Sequence, residues 1–101
     1  MKIPKKIKVL GVEYKIEQVD SLTHKDEGYE ATGQTVEAQR KIRLSTCGLF
    51  CESQKEQTLF HELAHVVLME TGLARTLSNC DNEVYAQCFG NAFHQIFKQM
   101  L

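Results

Sequence analysis

The segment from Glu56 to Thr71 constrains this chain most. Leu59, Phe60, Leu63, Ala64, Val66, Val67 and Leu68 spread apolar side chains around most of the circumference of the helix they imply. Such a helix has to be covered on more than one side, so it belongs deep in the fold. Its ends are marked as well. Ser53-Gln54-Lys55-Glu56 matches the S-x-x-E capping box, which predicts a helix start at Ser53, and Gly72 is the expected stop at the C′ position. A chain of 101 residues buries roughly two thirds of its unfolded surface, so the cover must come from a single domain, residues 1–101.

That cover can be read on both sides of the helix. Upstream, Ile7, Val9, Val12, Tyr14 and Ile16 alternate with Lys8, Glu13, Lys15 and Glu17, the period of strands with one wet face, and Gly11 marks a bend or bulge between them. A polar stretch from Asp20 to Gly28 precedes two further short strands, Tyr29 to Val36 and Arg40 to Ser45, with Glu37-Ala38-Gln39 turning between them. Ile42 and Leu44 face inward there, and Lys41 and Arg43 face out. If Arg40 to Ser45 is an exposed edge, an extended peptide could pair with it as an added strand.

Downstream, a second helix is expected to begin near Asp81 or Asn82, either of which can cap it, and to run through Gln99. Its apolar stripe is Val84, Tyr85, Cys88, Phe89, Ala92, Phe93, Ile96 and Phe97. Gly90 in mid-helix costs about 1 kcal/mol against Ala, which marks a place where another backbone comes close. Strands followed by helix, loop and helix make an α+β fold with a sheet of three to four strands.

Three polar residues interrupt the buried helix. His61-Glu62-Leu63-Ala64-His65 is H-E-x-x-H, and the i, i+4 spacing puts both imidazoles on one face, ~6 Å apart, where they can share one ion. Glu62, one residue along, can reach a water held by that ion and take its proton. This is the arrangement of a zinc peptidase, in which Zn²⁺ lowers the water's pKa and polarises the scissile carbonyl.

A catalytic zinc needs a third protein ligand. The metzincin continuation fails, because Leu68 and Thr71 occupy its Gly and His positions. A Glu from the later helix is the alternative, and Glu83 is the best placed. Glu70 is rotated about 140° from His65 on the same helix, and Asp81 serves better as a cap. Oxyanion stabilisation falls to His94, Tyr85 or Tyr29, with Tyr85 read first as a packing aromatic, while His24 reads as a solvated side chain.

From Gly33 to Leu44, through Thr58-Leu59-Phe60-His61-Glu62-Leu63-Ala64-His65, to Asn82-Glu83-Val84-Tyr85-Ala86, the chain resembles small gluzincin-type metallopeptidases, including the phage and mobile-element ImmA/IrrE-like group. The resemblance spans about Tyr29 to Phe97. It implies peptide-bond hydrolysis with His61, His65 and Glu83 as zinc ligands and Glu62 as general base and acid. It also implies a peptide or protein substrate and a host or phage regulatory protein as partner. The extra helical regions with which that group engages a repressor have no room in this chain, so the expectation is a minimal catalytic core.

Two rival readings stand beside it. Cys47 and Cys51 with His61 and His65 resemble a structural Cys₂His₂ zinc spacing, although the middle interval is short. A zincin that binds zinc and a partner but cleaves nothing needs the same four residues. A net charge of −1 opposes nucleic-acid binding, since the only basic cluster is Lys2, Lys5, Lys6 and Lys8. No export signal and no apolar run near the ~20 residues of a membrane span occur, so the expected location is cytoplasmic, with Cys80 and Cys88 as free thiols.

Overall fold

The computed structural model describes residues 2–20, 22–23, 30–46 and 52–100. The protein is an α+β fold, a four-stranded mixed sheet followed by two helices. Strands β1 (Lys6–Val9) and β2 (Val12–Val19) form an antiparallel hairpin. Its two-residue turn is Leu10-Gly11, both with positive φ (51° and 81°), the backbone that matches the right-handed twist of the flanking strands. Gly11 is therefore a hairpin turn residue. A two-stranded ribbon, β3 (Leu22–Thr23) with β4 (Glu30–Ala31), interrupts the stretch read from sequence as a polar loop. Strands β5 (Gly33–Val36) and β6 (Lys41–Ser45) make a second hairpin around the Glu37–Gln39 turn.

The strand order is β1-β2-β6-β5, with β2 and β6 parallel. Arg40 to Ser45 is therefore no edge: β6 is paired on both sides, and β5 borders the sheet next to it. One sheet face is wet, with Glu17 bridging Lys41 at 3.0 Å and Arg43 at 3.5 Å. The other presents Tyr14, Ile16, Ile42 and Leu44 to the first helix.

Helix α1 (Glu52–Glu70) lies between this face and helix α2 (Asn79–Met100). Leu59 and Val66 point at the sheet, while Ala64 and Leu68 meet Ala86 of α2, which explains why apolar residues surround so much of α1. The far end of α1 is tied to the sheet where the Tyr14 hydroxyl donates to Glu70 Oε1 at 2.7 Å. Burial and this bond to a carboxylate push the Tyr14 phenol up to about 12. Gly72 ends the helix in the left-handed conformation, as its position predicts.

Three local expectations are corrected. Ser53 is inside α1 rather than at its cap, because the helix already includes Glu52, and the Glu56 carboxylate turns to His94 of α2 at 3.0 Å. The cap of α2 is Ser78, whose Oγ accepts from the Asp81 N–H at 3.0 Å. Asn82 instead donates to the carbonyls of Ala74, Leu77 and Ser78, fastening the connection between the helices.

The largest difference concerns α2. Its buried residues are Ala86, Gly90 and His94, whereas Val84, Tyr85, Phe89, Phe93 and Ile96 are exposed. The helices pack too closely for large side chains: a Cβ on Gly90 would lie 2.8 Å from His61 Cα and 3.0 Å from its nitrogen. Ala86 and Gly90 fill that seam, His94 and Phe97 pack on Phe60 beyond it, and the rest of the bulky apolar stripe faces outward. Gly90 itself does what its mid-helix position predicts.

Candidate metal centre

The close α1–α2 seam builds the candidate site. On α1, His61 and His65 stand one turn apart with their Nε2 atoms 3.2 Å from each other. On α2, Glu83 shares its face with Ala86 and Gly90 and is carried onto the histidines by the contact at Gly90. Its Oε2 lies 3.3 Å from His61 Nε2 and its Oε1 3.0 Å from His65 Nε2. The structure thus brings together the three residues singled out in the sequence as ligands.

The donor set and its spacing fit a zinc ion. Two ligands ~2.0–2.1 Å from a tetrahedral ion stand ~3.3 Å apart, and the separations here are 3.2, 3.3 and 3.0 Å. Two imidazole nitrogens and a carboxylate form the open His₂Glu set that leaves a fourth position to solvent. The competitors are placed elsewhere: Glu70 binds Tyr14, and Asp81 lies in the first turn of α2.

Electrostatics separate the roles of these groups. Burial lowers the His65 pKa, with Glu83 opposing and His61 adding to the effect, which favours the neutral imidazole that a metal requires. Glu62 is 6% exposed, and its Oε2 has no hydrogen-bond partner among the described residues. Burial raises its carboxyl to about 7, reinforced by the negative charge of Glu83. The Thr35 hydroxyl pulls weakly the other way without reaching good hydrogen-bond geometry. A buried carboxylate that titrates near neutrality is suited to accept and return a proton.

Two contributors were not singled out for the site in the sequence. Gly33 and Thr35 of β5 form the wall over Glu62, where a Cβ on Gly33 would come 2.6 Å from Thr58 Cγ2 and 3.2 Å from Glu62 Cγ. The signals available were a glycine within a strand and its place at the start of Gly33 to Leu44, the stretch that carries the family resemblance. His94 and Tyr85 lie apart from the centre. His94 is 4% exposed and held by Glu56, whose carboxyl this bond keeps below its usual range, and Tyr85 stacks on Phe89. Tyr29, His24, Cys47 and Cys51 lie outside the described residues, and Cys80 and Cys88 are exposed free thiols. Among the described residues no helix is long and apolar enough to cross a membrane. Comparison of the chain with protein-family models, curated proteins and solved structures found no match in any of the three.

Proposed function

We propose that this chain is a zinc-dependent peptidase of minimal gluzincin type, with His61, His65 and Glu83 holding the ion. The observation that carries the reading is the set of donor separations, each near a tetrahedral edge, beside a buried carboxylate with an unpartnered oxygen. Bound zinc would supply an acidified water and a polarised substrate carbonyl. Glu62 takes the proton of the attacking water and delivers it to the leaving amine. Its burial raises the carboxyl's affinity for a proton, which suits it to hold that proton between the two transfers. The edge strand β5, whose Gly33 and Thr35 lie against Glu62, is the backbone surface on which an extended peptide would pair.

A second reading, a zinc- and partner-binding protein without hydrolytic activity, is favoured by the placement of His94 and Tyr85 away from the centre. One experiment distinguishes the two. Protein purified without added zinc is assayed for metal content and for hydrolysis of a broad peptide library, alongside Glu83→Ala and Glu62→Gln. A peptidase holds about one zinc per chain, loses it with Glu83→Ala, keeps it with Glu62→Gln, and cleaves only with Glu62 intact. Zinc without cleavage supports the second reading, and wild type without zinc refutes both.

A further inference from the structure

The bulky face of α2 has no intrachain cover among the described residues. Tyr85, Phe89, Phe93, Ile96 and Met100 are 42%, 44%, 44%, 53% and 78% exposed. At about 200 Å² per large side chain this leaves roughly 500 Å² of contiguous apolar surface, near the largest patch a typical monomer shows. The face is ordered by ring packing: Tyr85 and Phe89 stack with centroids 5.8 Å apart and planes 12° apart, and Phe89 and Phe93 with centroids 6.2 Å apart and planes 17° apart.

We infer that this face is the interface of a homodimer, formed by antiparallel pairing of α2 with α2 of a second copy. Three observations select a second copy as the occupant. The spacing is self-complementary: in a twofold pair centred between Ala92 and Phe93, Tyr85 faces Met100 and Phe89 faces Ile96, so large residues meet large residues on both sides of a centre where Phe93 meets the small Ala92. From Val84 to Phe97 the helix holds no Asp, Glu, Lys or Arg, so like charges do not oppose the pairing. Lys98, the basic residue just beyond the stripe, is turned away from it to Ser53 of α1 at 3.4 Å. Two such faces, with their Gln and Ala flanks, bury roughly 1,000–1,500 Å² in total, which reaches the range of a specific dimer. The face lies about a third of a turn around α2 from Glu83, so pairing leaves the metal centre open.

The test is the molar mass in solution by size exclusion with light scattering over a micromolar concentration series, with circular dichroism as the folding control. Wild type is expected at twice the 11.5 kDa chain mass. Phe89→Lys/Ile96→Lys and Phe89→Glu/Ile96→Glu are each expected to be monomeric, because like charges meet across the twofold, and to associate when mixed. Met100→Lys, at the most exposed position, is expected to raise the dissociation constant several-fold with unchanged helix content. A wild type that is monomeric throughout the series overturns the inference. So do charged variants that remain dimeric, or folded variants that do not associate on mixing.

Discussion

Replacing Gly90 with Ala tests whether the α1–α2 seam positions the candidate metal centre. The added Cβ would stand 2.8 Å from His61 Cα, 3.0 Å from His61 N and 3.1 Å from the Phe60 carbonyl carbon. Ordinary carbon contacts are ~3.5–4.0 Å, so the two backbones must part by about 1 Å, and no rotamer change relieves a clash with main chain. Because α1 is also held by the sheet, α2 is the element that moves. The alanine gains about 1 kcal/mol of helix propensity. Overpacking opposes it by ~1–3 kcal/mol, leaving a net loss of roughly 0–2 kcal/mol. Zinc affinity is the sharper readout. Glu83 sits two turns away on the same face, and a retreat of about 1 Å stretches its 3.0 and 3.3 Å separations from the histidines toward ~4 Å, well beyond a tetrahedral edge of ~3.3 Å. The expected loss is 10–100-fold in zinc affinity, comparable to removal of a group that orients a ligand. Competition titration against a chromophoric chelator measures it, with exposed Asn91→Ala as control. Wild-type affinity in Gly90→Ala, combined with a raised melting temperature, would show that helix propensity dominates and that the close approach does not set the ligand geometry.

On the peptidase reading, Glu62→Gln should retain zinc and lower peptide hydrolysis by about 10²–10⁴-fold, measured as kcat on a cleaved peptide. Tyr14→Phe removes the bond to Glu70 and should destabilise the protein by ~1–2 kcal/mol in urea unfolding. Because the Tyr14 phenol is raised in the folded state, its contribution is present below pH 10 and disappears as the pH climbs toward 12, so the melting temperature of wild type should fall more steeply over that window than that of Tyr14→Phe. The sign reverses at Glu56, whose carboxyl is depressed chiefly by the His94 bond. Stability from that pair is present above the ordinary carboxyl value of 4.5 and drains away as the pH falls below it. His94→Gln should flatten this acid limb, whereas an unchanged acid profile would place the titrating group elsewhere.

Much of the fold follows from local rules that the chain carries in its own order. Alternation in β2 and β6, the punctuation at Gly11 and Gly72, and the all-round apolar character of α1 each act over a few residues, so periodicity alone exposes them. Spacing also brought His61 and His65 to one face, since one helical turn fixes their separation without help from the rest of the molecule. Helix boundaries were less legible. Ser53 reads as the cap of α1 and Asp81 or Asn82 as that of α2, whereas Ser78 caps α2, because which side chain faces free backbone N–H groups depends on how the preceding chain enters the helix.

The sequence by itself determined the strands of the main sheet, the two helices, the paired histidines and the need for a close approach at Gly90, because these rest on backbone conformation and helical repeat. The tertiary structure decided which strand borders the sheet, since β2 pairs with β6 across an intervening segment and leaves β5 outside. It also decided which face of α2 turns inward. Hydrophobicity favours Tyr85, Phe89, Phe93 and Ile96, but at the distance set by Gly90 against His61 the buried positions are Ala86, Gly90 and the paired His94, with Phe97 half-buried on Phe60 of α1. Volume at the contact outweighs apolar character there, and the same packing carries Glu83 onto the histidines.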